Sequence, residues 1–363
     1  MSGPKKIAIN TGGGDAPGLN AVIQAITMAA IKHDWEVYGI QAGYGGLIDT
    51  SRIRRLTSQR VAGIASLGGT ILGTTNRGNP FKFPVRAADG TVTEKDVSDQ
   101  IVKNFHDQGF DVLIAIGGDG SLDLAHRLAQ KGIPVIGVPK TIDNDLTATF
   151  SSFGFDTAVM TATDAIDKLH STASAHERVL VVEVMGRYAG WIALHSGMAG
   201  SADVILLPEI PFDLGRVCAH LRATEARGKN YGIVVAAEGA CPKGGKPVLR
   251  VGPGAGEPPR LGGIGEWVAN QIAERTGRET RSLVLGHLQR GGSPTPWDRL
   301  LALRFGAAAV RFIADGQRDV MVSYKPPDMV PVPLADAVSR MKLAPVECDT
   351  VIACRDIGIS FGD

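Results

Sequence analysis

The chain has 363 residues, of which 44% are hydrophobic and 21% charged, a composition that excludes an intrinsically disordered chain. Its 38 Lys and Arg residues nearly balance 37 Asp and Glu residues, so charge gives no reason to expect nucleic acid or an anionic membrane as a partner. No apolar run reaches the ~18 residues of a membrane-spanning helix. The four cysteines form no CxxC pair, and MSGPKK runs into IAIN without an export signal, so we expect a cytoplasmic protein.

Short apolar strands alternate with helices in the first part of the chain. The strand-like runs are KIAIN (6–10), EVYGI (36–40), DVLIAIGG (111–118) and PVIGVP (134–139). Continuous apolar strands separated by helices are typical of parallel strands buried on both faces. The pattern therefore predicts a doubly wound sheet with ligands at the carboxyl ends of its strands.

A second set of strands follows and predicts a second lobe. Its runs are RVLVVEVMG (178–186), ADVILLPE (202–209), YGIVVAAEG (231–239) and SLVLGH (282–287). We expect two Rossmann-like lobes of three α/β/α layers with mostly parallel sheets and the active site in the cleft between them. Residues 241–263 are rich in Gly and Pro, which predicts a surface loop insertion, and the chain after about residue 325 suggests an irregular segment and then a short helix.

Glycine-rich segments follow two of the first strands. In TGGGDAPGLN (11–20) the glycines let backbone N–H groups approach a phosphate at a helix N-terminus, although a structural turn explains them equally well. In IGGDGS (116–121), Asp119 is a candidate Mg²⁺ ligand and Gly120 leaves room for a nucleotide. Ser121 either contacts the donor or caps the following helix.

PKTIDND (139–145) places two carboxylates at the end of another apolar strand. A sugar hydroxyl that attacks a phosphoryl group must lose its proton, and Asp143 is the candidate acceptor. Asp145 is suited to orienting the substrate or supporting the metal, and Thr141 to a hydrogen bond with the transferred phosphate. A Pro- and Asx-rich turn is the alternative explanation.

Arginines in short turns are candidates for gripping phosphates, because a guanidinium is planar and permanently charged. The candidates are Arg77, Arg178, Arg187, Arg281 and Arg290, with His287 in the same turn as the last. Each alone is better explained as a surface residue or an ion-pair partner, but the shared position in short Gly- or His-bearing turns at strand ends favours a function for the set.

Taken together, these motifs resemble the 6-phosphofructokinases. TGGGDAPGLN, GGDGS, PKTIDND, VMGRYAGWIAL, the PE of LLPEIPF, AAEG and LGHLQRGGSPTPWDR stand in the order and spacing of that family, from about residue 5 to 320. The resemblance implies a phosphoryl-donor domain at 1–154 plus about 288–345 and a sugar-phosphate domain at about 155–287. It also implies phosphorylation of the 1-hydroxyl of fructose 6-phosphate in glycolysis, with Mg²⁺ as cofactor.

The resemblance assigns roles to individual residues. Asp143 is the base, with Thr141 and Asp145 beside it, and Arg187 and Arg77 stabilise the transferred group. The donor-binding residues are Gly12, Gly13, Arg77, Gly118, Asp119, Gly120, Ser121 and Lys140, of which Asp119 is associated with the metal. The sugar-binding residues are Arg178, Met185, Gly186, Arg187, Glu238, Arg281, His287 and Arg290. Arg178 and Arg281 are expected to reach a neighbouring subunit's sugar phosphate, which implies a homo-oligomer, either dimer or tetramer.

Two positions disagree about the phosphoryl donor. Users of pyrophosphate usually carry an aspartate where this chain has Gly120, and a lysine where it has Lys140. We weigh Gly120 more heavily, because an acidic side chain there would repel the α-phosphate of ATP. ATP is therefore the expected donor, and pyrophosphate is the alternative.

Basic residues that bind effectors in bacterial members of the family are replaced here by Gln24, Met28, Leu67 and His170. Without arginines such a site binds anions weakly, so we expect little control by nucleoside diphosphates or phosphoenolpyruvate. Two further functions remain open. GGDG alone also fits an NAD or lipid kinase, which the sugar-side residues disfavour, and a non-catalytic ligand-binding subunit can share the fold.

Overall fold

The computed structural model describes residues 5–75, 78–86, 92–246, 248–251 and 260–363. In chain order its strands are β1 (Lys6–Thr11), β2 (Glu36–Ile40), β3 (Ile53–Leu56), β4 (Phe83–Arg86), β5 (Val92–Lys95), β6 (Val112–Gly117), β7 (Val135–Pro139), β8 (Val179–Val184), β9 (Val204–Leu206), β10 (Gly232–Ala237), β11 (Leu249–Val251), β12 (Arg260–Leu261), β13 (Thr280–Val284), β14 (Val320–Lys325) and β15 (Asp328–Pro333).

The α-helices are α1 (Leu19–Ile31), α2 (Gly45–Ile48), α3 (Ser98–Asp107), α4 (Asp119–Gln130), α5 (Phe155–Ala175), α6 (Trp191–Ala199), α7 (Leu214–Ala226), α8 (Ile264–Thr276), α9 (Pro296–Ala314), α10 (Leu334–Ala337) and α11 (Asp349–Asp356). Short 3₁₀ helices span Thr50–Arg52, Ile64–Ser66 and Gly286–Arg290. In the part of the chain that the structure describes, no helix combines the length and apolarity needed to cross a membrane.

The chain divides into two compact units, the first formed by Met1–Asp156 and Arg290–Met341. Its seven-stranded sheet has the order β15-β14-β7-β6-β1-β2-β3, parallel from β14 to β2 and antiparallel at both edges. Helices α1 and α9 cover one face, and α3, α4 and α10 cover the other. All six residues of β6 are buried, which explains its uninterrupted apolar sequence.

The order of this sheet locates its ligand-binding edge. The chain passes from β1 to β2 on one side and later returns to β6 on the other, so the connections after β1 and β6 leave in opposite directions. Such a switch point opens a crevice at the carboxyl ends of the strands. The segments that begin at Gly12, Gly118 and Lys140 all start at this edge.

The second unit comprises Thr157–Gln289 and Lys342–Asp363. Its four strands are all parallel, in the order β13-β8-β10-β9. Helices α7 and α8 pack on one face through a buried apolar cluster, and α6 packs against β9 and β10. The α/β fold class predicted from the strand pattern is confirmed, whereas the assignment of donor and sugar domains stays a prediction.

The expectation of an irregular segment after residue 325 is wrong. Strands β14 and β15 pair antiparallel along their whole length and form one edge of the first sheet. Pro331 and Pro333 in β15 lack the N–H group that a central strand needs, so this strand is tolerated only at an edge. That is why its sequence does not look like a strand. Residues 252–259 of the expected 241–263 loop lie outside the described residues, and β11 and β12 pair antiparallel within the rest.

Candidate active site

Three strand ends of the first unit are tied together by backbone hydrogen bonds. The Gly12 amide donates to the Ile116 carbonyl at 2.9 Å, and the Lys140 amide donates to the Gly117 carbonyl at 2.9 Å. These bonds join the segments after β1, β6 and β7 side by side. The glycine-rich turns and PKTIDND therefore share one surface of the unit.

The glycines of the first turn are required by close neighbours. A Cβ on Gly12 would lie 2.8 Å from Ser121 Oγ, and one on Gly14 would lie 2.8 Å from Arg290 Nη1. Gly13 has a φ of 75°, which other residues rarely adopt. The turn therefore packs its bare backbone against a hydroxyl and a guanidinium.

Ser121 does not cap the helix, so that reading of its sequence is wrong. Helix α4 begins at Asp119 with Gly118 as its N-cap, which leaves Ser121 within the first turn. Its hydroxyl instead faces Gly12 and Gly13. Asp119 and Gly120 are exposed at the start of the same helix, where N–H groups lack intrahelical partners.

Lys140 is the buried cation of this surface. Its side chain is buried, and Nζ donates a hydrogen bond to the Gly14 carbonyl. Burial, reinforced by the charge of Arg290, lowers the pKa of Lys140 to about 8, while Asp143, Asp15 and Asp145 oppose the shift. Arg290 Nη1 also donates to the Asp15 carbonyl at 3.1 Å. Two cations therefore lie beside the turn after β1.

Two carboxylates, those of Asp143 and Asp145, follow Lys140 in the chain. Each has one oxygen without a hydrogen-bond partner among the described residues. Oδ1 of both carboxylates is buried and has no hydrogen-bond partner among the described residues. The backbone supports the turn: the Asp143 amide donates to Thr141 Oγ1 at 3.1 Å, and Ser152 Oγ donates to the Thr141 carbonyl at 2.7 Å. A carboxylate left without a donor is available to a ligand.

Burial and neighbouring charges raise the pKa of both carboxyl groups. Burial raises the pKa of Asp143, and Asp119 adds to the rise, whereas Arg290 and Lys140 oppose it. For Asp145, burial together with the charges of Asp143 and Asp119 raises the pKa to about 6. Since acids whose pKa is raised by burial beside other charged groups are typical of reaction centres, the pair marks a candidate proton acceptor.

The shift at Asp145 predicts a pH-dependent stability. A carboxyl group whose pKa rises from 3.8 to about 6 on folding destabilises the fold above pH 6, where it is charged, and not below pH 4. We therefore expect Asp145→Asn to raise the free energy of unfolding by roughly 2–3 kcal/mol at pH 8 and by little at pH 4. Urea unfolding at both pH values measures this, with Asp123→Asn as the exposed control. Equal effects of Asp145→Asn at the two pH values would refute the pKa assignment.

Residues 185–187, the turn predicted to bind the sugar and called the sugar-side turn below, lie in the second unit. The Met185 amide donates to Gln289 Oε1 at 3.3 Å, and the Gly239 amide donates to the Gly186 carbonyl at 3.1 Å. Gly186 has a φ of 138°, and a Cβ there would lie 2.8 Å from the Ala189 carbonyl oxygen. The half-buried Arg187 guanidinium lies 5.0 Å from the centre of the Tyr188 ring. The turn is therefore clamped, with Arg187 at its tip.

The remaining residues predicted to bind the sugar phosphate in this unit lie at opposite ends of its sheet. Glu238 follows β10, and its amide donates to the Val184 carbonyl at the end of the neighbouring strand at 2.9 Å. Arg178 and Arg281 lie at the opposite ends of β8 and β13 and both pair with Glu279, at 2.8 Å and 2.7 Å. His287 is exposed in the 3₁₀ helix Gly286–Arg290. Arg290, the last residue of this helix, belongs to the first unit. Arg77 lies outside the described residues.

One of the predicted effector positions, His170, has hydrogen-bond partners within the second unit. His170 Nε2 lies 2.7 Å from the Gly200 carbonyl oxygen, and Nδ1 lies 3.3 Å from the Tyr231 hydroxyl. Met28 and Leu67 are exposed apolar residues. Weak control by phosphorylated effectors stays a prediction.

Some residues that shape these sites were not predicted to be functional from the sequence. Gln289 is fully buried, with Oε1 on Met185 and Nε2 donating to Gly286 at 3.1 Å. Glu279 joins two arginines, and Glu209 holds the helix after the sugar-side turn. Each acts on a partner distant in sequence. Glu209 lies in the PE dipeptide and Gln289 in LGHLQRGGSPTPWDR, but neither motif of the family pattern indicates these partners.

The fold and the grouped glycines, cations and acids define a doubly wound α/β protein suited to a phosphorylated ligand. A family model described as Phosphofructokinase matches residues 6–313. The chain belongs to the phosphofructokinase family, which confirms the resemblance inferred from the motifs.

Two relatives have the same percentage identity to this chain but different names. One from Chloroflexus aggregans, named ATP-dependent 6-phosphofructokinase, is 50% identical over 359 residues, 99% of this chain and 98% of the relative. One from Amycolatopsis mediterranei, named pyrophosphate–fructose 6-phosphate 1-phosphotransferase, is 50% identical over 344 residues, 94% of this chain and 97% of the relative. The crystal structure of Pichia pastoris phosphofructokinase in the T-state matches 99% of this chain with a TM-score of 0.80 and 32% identity, and this chain covers 37% of that longer chain.

Proposed function

We propose that this protein is a 6-phosphofructokinase that transfers a phosphoryl group from ATP to the 1-hydroxyl of fructose 6-phosphate, a glycolytic reaction. The observation that carries the proposal is the Asp143 carboxylate, which has a buried, unpartnered oxygen beside Lys140 and Arg290 at the carboxyl end of β7. Family membership and the names of the relatives support the reaction and the donor.

Asp143 acts as the base in this proposal. It accepts the proton of the sugar hydroxyl as the oxygen bonds to the transferred phosphorus, and the bond from phosphorus to the leaving phosphate oxygen breaks. Burial raises its pKa, which makes it a stronger proton acceptor, and the charges of Arg290 and Lys140 oppose that rise. Thr141 and Asp145 orient the sugar beside it.

The donor lies against the glycine turns. Backbone N–H groups near Gly12, Gly13, Gly118 and Gly120 donate hydrogen bonds to its phosphate oxygens, and Ser121 and Lys140 add a hydroxyl and a positive charge. Arg77 and Arg187 grip the transferred group, so that most of the catalysis is positioning and charge stabilisation.

Mg²⁺ is proposed as the cofactor, with Asp119 as its protein ligand. Among the described residues no cluster of three or more His, Cys, Asp or Glu side chains could hold a metal alone. One carboxylate plus phosphate oxygens is the set that Mg²⁺ commonly takes. The exposed Asp119, at the first turn of α4 and close enough to raise the pKa of Asp143 and Asp145, fits that set. When bound, the ion neutralises charge on the donor phosphates.

The sugar phosphate is bound mainly by residues of the second unit. Met185, Gly186 and Arg187, with Glu238, His287 and Arg290, take the fructose moiety. Arg178 and Arg281 take the 6-phosphate of a neighbouring subunit, so we infer a homodimer or homotetramer. Both arginines pair with Glu279, which holds their guanidinium groups close together.

A second candidate donor is pyrophosphate. The buried Lys140, whose ammonium group reaches the donor turn at Gly14, is the observation that favours it, together with the Amycolatopsis relative. The test is fructose 1,6-bisphosphate formation from fructose 6-phosphate and Mg²⁺, with ATP and pyrophosphate supplied separately. We expect turnover with ATP. Turnover with pyrophosphate alone would reverse the donor assignment, and turnover with neither would favour the non-catalytic subunit.

A further inference from the structure

The start of helix α6 directly follows the sugar-side turn and is bound by a carboxylate from another strand end. Glu209, just after β9, accepts a hydrogen bond from the Gly190 amide at 2.9 Å on Oε1 and at 3.2 Å on Oε2. Gly190 is the N-cap of α6 and lies three residues after Arg187. A Cβ on Gly190 would lie 2.8 Å from Glu209 Oε2, so the carboxylate fits tightly against the bare backbone.

The same carboxylate binds the last segment of the chain, residues 342–363. The Ala344 amide donates to Glu209 Oε1 at 2.8 Å, and Trp191 Nε1, on the first residue of α6, donates to the Lys342 carbonyl at 3.0 Å. Ala344 is buried. The first residues of the segment are therefore joined to the start of α6 directly through Trp191 and indirectly through Glu209.

The rest of segment 342–363 is docked firmly on the second unit. Ser360 bridges Val204 in a parallel pairing, its carbonyl accepts from the Ile205 amide at 2.9 Å, and Phe361 is fully buried. The Asp213 amide, just before α7, donates to the Gly362 carbonyl at 2.7 Å. This segment lies beyond the residues that match the family model, 6–313.

We propose that Glu209 is a positioning residue that ties the sugar-side turn to segment 342–363, so that this segment contributes to fructose 6-phosphate binding. The inference rests on the proposed function of the turn. Gln289 and Gly239 hold the turn on one side through Met185 and Gly186, and Glu209 holds its exit through Gly190. Without the carboxylate, the Gly190 and Ala344 amides lose their hydrogen-bond acceptor. The backbone that follows Arg187 is then no longer held at Gly190.

The test is a kinetic comparison of Glu209→Ala, Glu209→Gln and the exposed control Glu266→Ala. We expect Glu209→Ala to raise the KM for fructose 6-phosphate about tenfold, with the KM for the donor and kcat within about threefold of the parent. Glu209→Gln should return the sugar KM to near the parent value, because its Oε1 can still accept from both amides. Trp191→Phe, which removes the second bond to the segment, should raise the sugar KM in the same direction.

Each outcome separates this inference from the proposed function. If the parent protein forms no fructose 1,6-bisphosphate with either donor, the proposed function fails, and sugar binding measured by titration calorimetry on the same variants still tests Glu209. A Glu209→Ala protein that is less thermally stable but keeps its sugar KM and affinity would overturn the positioning role. A matched rise of the KM for donor and sugar would also overturn it. If Glu209→Ala does not fold, Trp191→Phe is measured instead, and an unchanged sugar KM and affinity in that variant would overturn the proposal.

Discussion

Replacing Asp143 with Asn is expected to lower kcat by at least about 10²–10⁴-fold while the KM for fructose 6-phosphate and for ATP changes little. The amide keeps the size of the carboxylate and cannot accept the hydroxyl proton. The buried Oδ1 has no partner among the described residues, so the structure requires no carboxylate there for a hydrogen bond. Steady-state kinetics with each substrate varied in turn measure the effect.

The substitution also tests the plainest alternative, in which PKTIDND is only a polar turn. Asn is at least as favourable as Asp in such turns, so that alternative predicts unchanged kcat. Asp123→Asn, an exposed change on α4, controls for the loss of one negative charge. Parent-like turnover of Asp143→Asn would contradict the assignment of the base, whereas a rise in the sugar KM alone would reassign the residue to binding.

Sequence periodicity identified the sheets because burial on both faces leaves continuous apolar runs. Strand β6, with every residue buried, is the clearest case. Strand β15 shows the limit of the method, since an edge strand tolerates prolines that an internal strand excludes. The local pattern cannot reveal where in a sheet a strand will lie.

The candidate site was predictable where its residues lie within one short motif. Glycine turns, Asp119, Asp143 and Lys140 follow strand ends, and the topology brings strand ends together. Contacts such as Met185 with Gln289 join residues 104 positions apart, and nothing in either local sequence indicates the partner. The contacts of Gln289 and Glu209 were missed for this reason, although both residues lie in motifs of the family pattern.

The second large effect is expected for Gly120→Asp, which should lower kcat/KM for ATP by about 10²-fold. Two unit negative charges roughly 5 Å apart repel by about 3 kcal/mol at an effective dielectric constant of about 20, and this energy corresponds to that factor. Pyrophosphate, which has no nucleoside α-phosphate, should be affected much less. Initial rates with each donor at saturating fructose 6-phosphate measure the ratio.

The structure makes this substitution a clean probe of the donor. A Cβ on Gly120 would meet no atom within 4 Å among the described residues, and an acidic side chain in the first turn of α4 is favoured by the helix dipole. The variant should therefore fold normally, which thermal unfolding checks. Gly120→Asn is the matched control, because it adds the same bulk without charge and should lower ATP use much less.

The result also decides between the two disagreeing positions. If Gly120→Asp loses ATP activity and Gly120→Asn keeps most of it, charge at this position selects the donor, and the buried Lys140 is a general anchor for phosphate. If both variants lose ATP activity equally, volume is the cause. If Gly120→Asp keeps full ATP activity, Gly120 does not select the donor. Lys140, whose ammonium group lies at the Gly14 carbonyl, then becomes the position to change next.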